Sequence, residues 1–332
     1  MIIAESIEYQ HLTSIRHRQD GTPCAVEAGG ALTDIALTNC GLNTLPRELL
    51  RHRSLKSLYL GQNHISELPA ELSSLQALQE LYIYACKLKQ LPASLCDMTT
   101  LEILDLSHQA LECLPENIGA LKSLRVLYAS NTVMTQLPES IGELSALEYL
   151  GCTDNTITHL PESLGNLHNL KELRLYGNGL RALPESFSNL TSLREIYLRN
   201  NTLTELPDNL SDLHRLEVLD LRNNQITQLP NDIGDLPNLY QLDLRANPLE
   251  ELPDSMSNLK NLRKLDLRWT RLAREPDWFE TLLAQGASKA PPNTAVATQA
   301  QRLIMGHASL SLTHPHDFAA VHVERSGARK QV

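Results

Sequence analysis

The chain has 332 residues, and its 39 acidic side chains outnumber its 29 lysines and arginines, for a formal net charge of −10. This acidic balance argues against a nucleic-acid partner, because the phosphate backbone binds basic surfaces. No stretch approaches the roughly 18 consecutive apolar residues of a membrane-spanning helix. The composition therefore leaves a protein that meets neither nucleic acid nor a membrane.

The six cysteines are scattered and form no Cys-x-x-Cys pair. Three of them, Cys40, Cys86 and Cys152, fall at positions that the repeat described below turns inward. Buried thiols that stay reduced favour a reducing compartment. The first ten residues have neither a basic start nor a long apolar run, so we expect no signal peptide and a cytoplasmic protein.

A leucine-proline pair recurs every 23 residues along most of the chain. Only the last proline of this lattice departs from the pair, since it follows Glu275. A fixed period of this length indicates a solenoid, in which each repeat packs only against its neighbours. The lattice comprises Pro46, Pro69, Pro92, Pro115, Pro138, Pro161, Pro184, Pro207, Pro230, Pro253 and Pro276.

Residues 1–31 carry a worn copy of the repeat. Pro23 lies one period before Pro46, and Val26 follows Pro23 at the distance that separates Leu49 from Pro46. The end of a solenoid has no neighbour to cover it, so terminal repeats are atypical. We therefore expect residues 1–31 to form a degenerate N-terminal capping repeat.

Residues 32–270 carry eleven frames in which apolar and polar residues alternate, as in a half-buried β-strand. In one frame Leu58 and Leu60 occupy the two inward positions, and Leu72 and Leu75 face inward after the leucine-proline pair. Strands stacked about 4.8 Å apart would form a parallel sheet. The same inward pair recurs as Leu104 and Leu106, Leu173 and Leu175, Ile196 and Leu198, and Leu219 and Leu221.

An inward asparagine follows most of these strands. Its side-chain amide can bond the backbone groups that lose their partners where the chain leaves the sheet. The leucine-proline pair then starts a short helical turn, because the missing N–H of proline would be unpaired there anyway. The asparagines are Asn63, Asn155, Asn178, Asn201, Asn224 and Asn247, and their position is taken elsewhere by Cys40, Cys86, Gln109, Thr132 and Thr270.

With these motifs, residues 32–285 resemble leucine-rich repeat proteins of the intracellular, 23-residue type, closest to the Ras-group-related class. The resemblance implies an α/β solenoid, with repeats over 32–275, a parallel β-sheet on the concave face and short helical or irregular turns on the convex face. It implies a non-catalytic scaffold that binds proteins, because this class serves many functions as a binding scaffold. Some bacterial effectors carry such repeats joined to a ubiquitin-ligase domain, but we expect no second folded domain here.

Residues 276–285 are predicted to cap the C-terminal end. Phe279 and Leu282 continue the repeat register in an amphipathic turn, and both tryptophans, Trp269 and Trp278, lie near this end. Large apolar side chains at this place would cover the last coil, which has no neighbour to stack on.

Residues 286–332 change in composition. Pro291 and Pro292 favour a loop, and Phe318 is the single aromatic residue beyond them. This composition predicts a disordered tail. Residues 301–312 hold enough apolar side chains for a short helix that docks or recruits a partner.

Three positions of each strand point outward: one before the inward pair, one between its members and one after it. Equivalent positions of successive strands line up across the sheet, and we call the three resulting lines of side chains the first, middle and third columns. Seven of the nine tyrosines fall in the columns, and Gly151 interrupts the middle column, which predicts a notch. An aromatic patch on a surface usually marks an interaction site, although tyrosine also suits strand positions for packing alone. The predicted patch, here the tyrosine face, consists of Tyr59, Tyr82, Tyr84, Ile103, Val126, Tyr128, Tyr149, Tyr176 and Tyr197, with Tyr82, Tyr84, Ile103, Val126, Tyr128 and Tyr149 as its anchor.

The last third of the same surface carries charges instead. Aspartates fill its middle column and arginines its third column, so opposite charges should neighbour one another. Exposed pairs of this kind stabilise a fold by only about 0–1 kcal/mol each. The array either keeps the sheet soluble or orients a partner. This Asp/Arg ladder consists of Arg199, Asp220, Arg222, Asp243, Arg245, Asp266 and Arg268.

Catalysis is not expected from these residues. Asp220 and Asp243 have the spacing of roughly 5 Å seen between the carboxylates of retaining glycosidases, but the flanking arginines would keep both ionised and an open sheet offers no cleft. No phosphate-binding loop or nucleophile–histidine–aspartate pattern is present, so we expect no cofactor and no metal.

The sequence thus predicts a monomeric scaffold that binds a protein partner on its concave face. Two other hypotheses stay open. One is a type III-like secreted effector that steers a host ubiquitin-ligase or GTPase pathway from the host cytosol. The other is a purely structural spacer.

Overall fold

The computed structural model describes residues 25–28 and 31–290. Within them, thirteen strands form one sheet in which the spatial order equals the chain order. The strands are β1 Ala25–Ala28, β2 Ala31–Ala36, β3 Ser57–Tyr59, β4 Glu80–Tyr82, β5 Ile103–Asp105, β6 Val126–Tyr128, β7 Tyr149–Gly151, β8 Glu172–Arg174, β9 Glu195–Tyr197, β10 Val218–Asp220, β11 Gln241–Asp243, β12 Lys264–Asp266 and β13 Ser288–Ala290.

Every strand from β2 to β12 pairs in parallel with the next, and from β2 to β12 the pairing joins residues one repeat apart. Ser57 lies opposite Glu80, for example, and Glu80 lies opposite Ile103. The eleven predicted frames are these eleven strands, and the predicted α/β solenoid with a parallel sheet is confirmed.

The inward side chains form one continuous core that runs the length of the sheet. Leu58, Leu60, Leu72 and Leu75 are all 0% exposed, and so are their counterparts in most repeats. Each repeat therefore buries its leucines against the repeats before and after it, as a stacked solenoid requires.

A single 3-10 turn follows each leucine-proline pair, as expected for the convex side. In eight of the ten described turns the proline itself precedes the first helical residue in extended conformation, such as Pro69 with φ −68° and ψ 145°. The turns span Arg47–Arg51, Ala70–Ser74, Ala93–Asp97, Ile118–Ala120, Glu139–Glu143, Glu162–Asn166, Glu185–Asn189, Leu210–Asp212, Asn231–Asp235 and Asp254–Asn258. One α-helix, α1 Phe279–Ala284, ends the described series, and no described helix is long and apolar enough to cross a membrane.

Gly142 lets two neighbouring 3-10 turns approach closely. A Cβ atom at Gly142 would overlap the backbone carbonyl of Ser163 in the next turn. We expect Gly142→Ala to lower the free energy of unfolding by about 1–3 kcal/mol, the usual cost of overpacking. Urea denaturation checks this against Gly179→Ala, whose Cβ would meet Thr158 at an ordinary 3.4 Å. Equal midpoints for the two variants would contradict the close approach.

The inward asparagines bond the backbone as predicted. The Asn63 amide nitrogen donates to the carbonyls of Leu37 at 2.8 Å and Leu60 at 2.7 Å, and the backbone N–H groups of Cys40 and Leu42 donate to its oxygen. Each asparagine thus joins its own repeat to the preceding one. The same bonds recur in whole or in part at Asn155, Asn178, Asn201, Asn224 and Asn247.

The N-terminal end departs from the repeat. β1 runs antiparallel to β2 with a bulge between Val26 and Glu27, so its backbone forms a hairpin with the first frame rather than a further parallel frame. The rest of the predicted capping repeat, residues 1–24 and 29–30, lies outside the described residues.

The C-terminal end extends beyond the predicted cap of 276–285. Phe279 and Leu282 are buried at 2% and 3% exposure, and β13 then adds a parallel strand after them, inside the predicted tail. Trp278 packs on the core. Trp269 is 47% exposed and does not cover the last coil; it has the left-handed backbone, φ 61°, that recurs at this position of the repeats. The remainder of the tail, 291–332, lies outside the described residues.

Candidate protein-binding face

The strand register brings the tyrosine face together as three adjacent columns. Ile103, Val126 and Tyr149 lie opposite one another on consecutive strands, and Tyr59 lies opposite Tyr82. All members, including Tyr84, Tyr128, Tyr176 and Tyr197, are half-buried. Neighbouring side chains therefore cover part of every member of this face.

The rings on this face pack against each other and against the backbone. Tyr59 and Tyr82 stack with 4.8 Å between their centroids and 4° between their planes, while Tyr128 and Tyr149 lie 4.8 Å apart at 49°. Tyr84 covers Gly61, where a Cβ atom would overlap its ring. These contacts hold the rings in place, so little side-chain freedom remains to be lost on binding.

The predicted notch at Gly151 is filled. A Cβ at Gly151 would lie 2.9 Å from Cε1 and 3.0 Å from the hydroxyl oxygen of Tyr149, so the Tyr149 ring covers the glycine. The expectation of a notch was wrong because an aromatic side chain two residues away reaches over the space that glycine leaves.

Burial keeps several tyrosine hydroxyls of this face protonated at physiological pH. Burial raises the pKa of Tyr59 to about 12, and it also raises the pKa values of Tyr82, Tyr128, Tyr149 and Tyr197. The face therefore presents neutral O–H groups, which both donate and accept hydrogen bonds.

Arginines meet the tyrosines in the middle of the sheet. The guanidinium carbon of Arg174 lies 5.7 Å from the ring centroid of Tyr149 and 5.1 Å from that of Tyr197, and its Nε binds the Glu172 carboxylate at 2.5 Å. Arg199 lies 3.7 Å over Tyr176. A cation held between aromatic faces and a carboxylate is thus part of this surface already.

The Asp/Arg ladder forms two separate groups of ion pairs. Arg245 donates two bonds to Asp243, at 2.9 Å from Nε and 2.5 Å from Nη2, and its Nε also lies 3.1 Å from Asp266. Arg268 binds Asp266 in the same two-bond manner, at 2.9 and 2.6 Å. At the other end Arg199 lies 3.4 Å from Asp220.

The ladder is less exposed than expected. Asp220 and Asp243 are only 7% and 6% exposed, because the arginines of the third column lie beside them. Burial is also the main cause that raises the pKa of Asp220. The ladder therefore consists of half-buried pairs, and removing one partner of such a pair costs more than removing one partner of a surface pair.

Arg222 is the exception in the ladder. Its backbone N–H donates to Asp220 at 3.2 Å, but within the described ranges its guanidinium has no carboxylate at ion-pair distance. The ladder therefore offers one guanidinium that is free to meet a carboxylate from elsewhere.

A second row of charges, at the start of the strands, was missed from the sequence. Glu148 binds both Arg125 at 3.1 Å and Lys171 at 2.7 Å, and Arg194 binds Glu217 at 2.9 Å. These residues precede the first column by one position, and the recurrence of charged residues every 23 positions was the available signal.

Asp105 was also missed, although it lies in the middle column between Tyr82 and Tyr128. No group of three histidine, cysteine or carboxylate side chains in the described part of the chain is arranged to hold a metal ion.

The repeat also places the chain among known proteins. A family model described as a leucine-rich repeat region matches residues 34–134, 139–223 and 208–284, which is most of the chain. The chain belongs to the leucine-rich repeat family. Members of this family generally mediate protein–protein interactions and are typically non-catalytic.

Solved leucine-rich repeat structures resemble this one. A leucine-rich repeat protein of Leptospira interrogans is 30% identical with a TM-score of 0.54, over 75% of this chain and 76% of that one. YopM, a leucine-rich effector protein from Yersinia pestis, is 31% identical with a TM-score of 0.60, over 71% of this chain and 60% of YopM. The functional domain of InlJ from Listeria monocytogenes shares the fold, with 24% identity and a TM-score of 0.67 over 79% of this chain and 53% of InlJ. No curated protein sequence matches the chain.

Proposed function

We propose that this leucine-rich repeat protein is a non-catalytic scaffold that binds a protein partner on its concave face. The observation that carries the proposal is the tyrosine face: a half-buried surface on which seven tyrosines with Ile103 and Val126 lie on one side of the sheet. Tyrosine is enriched at interface hot spots, where a large ring contributes apolar contact and its hydroxyl contributes a hydrogen bond.

The packing of the rings supports this function. Tyr59 and Tyr82 are already stacked, and Tyr149 is held over Gly151. A surface that is ordered before binding loses less conformational entropy when the partner arrives. The rings therefore suit direct contact with a folded or extended polypeptide.

The Asp/Arg ladder supplies orientation in this proposal. Most of its charges neutralise one another, and Arg222 alone among the described ladder residues has no carboxylate in ion-pair range. A partner carboxylate placed at Arg222 would fix the register of the complex, which charges do more effectively than they raise affinity. We further propose that the protein acts as a monomer in the cytoplasm, without a cofactor.

A second candidate function is an effector that acts inside a host cell. The identity of 31% to the effector YopM over 71% of this chain favours it. A secretion assay on the full chain and on a chain lacking residues 1–31 separates the two. Export that depends on residues 1–31 supports the effector, while retention of both chains in the producing cell supports a resident scaffold.

The test of binding is capture by the wild type beside the Tyr128→Ala/Tyr149→Ala double variant. Two anchors worth about 2 kcal/mol each predict roughly 1000-fold weaker binding of the captured partner. Tyr240→Ala is the matched control, because Tyr240 is 46% exposed and lies outside the three columns. A partner that binds the double variant and the wild type equally would exclude the anchor, and the absence of any partner would favour the structural spacer.

A further inference from the structure

A slot interrupts the tyrosine face at Asp105. Asp105 lies in the middle column on β5, with Tyr82 opposite it on β4 and Tyr128 opposite it on β6. One residue of the first column, Ile103, lies on the same strand, and the backbone N–H of Ser107 donates to the Asp105 carboxylate at 3.0 Å. The floor of the slot is thus a carboxylate, and its two walls are tyrosines.

The backbone spacing of the slot admits one planar group but not two stacked ones. Its walls stand on strands two positions apart, which places them about 10 Å apart. A flat group in van der Waals contact with two rings needs about 3.5–4.0 Å on each side. The wall at Tyr82 is held from behind by its stack on Tyr59, and the wall at Tyr128 is held by Tyr149.

No cation of the described chain occupies this slot. Asp105 has no lysine or arginine within ion-pair distance in the residues that the structure describes. Burial raises the pKa of Asp105, against the opposing effects of its hydrogen bonds with Ser107 and of the nearby His108. Glu80 and the ring hydroxyls, the other titratable groups facing this part of the slot, supply no positive charge.

The same sheet shows how such a slot is filled. Arg174 lies between the rings of Tyr149 and Tyr197 and pairs with the Glu172 carboxylate. Two rings, one carboxylate and one guanidinium make a complete unit there. At Asp105 the rings and the carboxylate are present, and the guanidinium is not part of the described chain.

We propose that the slot binds the guanidinium of an arginine side chain from the protein partner, an inference that rests on the proposed binding function. The carboxylate of Asp105 accepts two N–H bonds from the planar fork, and the rings of Tyr82 and Tyr128 stack on its faces. Ile103 packs along the aliphatic stem. Arginine fits better than lysine, because lysine carries a compact charge that neither stacks nor binds bidentately.

The test titrates N-acetyl-arginine amide into the full chain labelled at isoleucine δ1 methyls. We expect the Ile103 methyl signal to shift in a saturable way, while the core methyls of Ile157 and Ile196 stay in place. Asp105→Asn should weaken this binding about 10- to 100-fold, the effect of a charge-assisted hydrogen bond. N-acetyl-citrulline amide, which is neutral and of the same shape, should not shift the signal. Equal shifts of the Ile103 signal by the citrulline compound, or an unchanged affinity of Asp105→Asn for the arginine compound, would contradict the proposal.

Thermal unfolding separates binding from a structural role. Because burial disfavours the charged form, Asp105→Asn should raise the melting temperature at neutral pH, whereas a carboxylate needed for the fold would lower it on removal. If that variant does not fold, Tyr128→Leu keeps an apolar side chain at this half-buried position and removes one stacking face. Several-fold weaker arginine binding is then expected, and unchanged binding would contradict the proposal.

The two proposals fail in different ways. If the captured partner binds Asp105→Asn as tightly as the wild type, the proposed arginine binding in the slot is wrong and the scaffold function stands. If the wild type captures no partner but arginine still shifts Ile103, the scaffold function fails and the slot stands.

Discussion

Asn224→Ala is expected to lower the free energy of unfolding by about 3–5 kcal/mol. Asn224 is 6% exposed, and its amide nitrogen donates to the carbonyls of Leu198 at 3.0 Å and Leu221 at 2.8 Å. The backbone N–H of Leu203 donates to its oxygen at 3.1 Å. Alanine leaves the buried Leu203 N–H without that partner, which costs about 1–3 kcal/mol. Each carbonyl loses one bond, worth about 1 kcal/mol, but keeps a bond from the amide of a neighbouring inward asparagine.

Urea denaturation followed by circular dichroism measures this loss. Asn238→Ala is the matched control, because Asn238 is exposed and makes a single side-chain bond, to the His214 carbonyl at 2.7 Å. We expect the control to stay within about 1 kcal/mol of the wild type. Similar midpoints for the two variants would mean that water replaces the inward amide, contrary to the role assigned to the asparagine row.

Asp243→Ala should destabilise the fold by about 3 kcal/mol, the low end of the cost of breaking a buried ion pair. The Asp243 and Arg245 side chains are 9% and 19% exposed, and the pair is bidentate. Removing the carboxylate leaves Arg245 half-buried with only Asp266, 3.1 Å away, as its partner. The loss stays below the upper end of that cost because this second partner remains.

The comparison for this prediction is Glu143→Ala, which breaks the Lys122–Glu143 pair. The Lys122 Nζ and a Glu143 carboxylate oxygen lie 3.1 Å apart, but the two side chains are 53% and 64% exposed. Exposed pairs are worth about 0–1 kcal/mol, so denaturation midpoints should separate the two variants clearly. If the midpoint of Asp243→Ala is no lower than that of Glu143→Ala, the ladder is energetically equivalent to the exposed ion pairs that the sequence predicted.

The repeated positions of this fold are predictable because each has one physical requirement. Leu58 and Leu60 must face inward wherever the frame recurs, and the asparagine after them must bond the turn. Pro69 and its counterparts suit the start of a 3-10 turn. One frame read correctly therefore predicts the strand, the turn and the outward columns of the others.

The properties that were not predicted depend on contacts between repeats. The burial of Asp220 and Asp243 results from arginines of the third column that lie over them. Gly151 is covered because the Tyr149 ring leans along its own strand rather than straight out. Periodicity assigns a side chain to a face, but it does not state which way the side chain leans on that face.

The ends of the solenoid depart from prediction for a related reason. A terminal coil lacks one neighbour, so its sequence no longer has to satisfy the repeat. β1 covers its end by antiparallel pairing, and β13 adds a strand after α1 without a leucine-proline pair before it. Neither strand carries the periodic pattern that identified the others.

The central claim, that a protein partner binds the concave face, is tested most directly by hydroxyl-radical footprinting of the full chain with and without its captured partner. This method reads the solvent access of individual side chains. We predict that the partner protects Tyr82, Tyr128 and Tyr149 and leaves the exposed Tyr240 unchanged. Protection of Tyr240 or Val133, with the three concave tyrosines as reactive as in the free protein, would contradict the account.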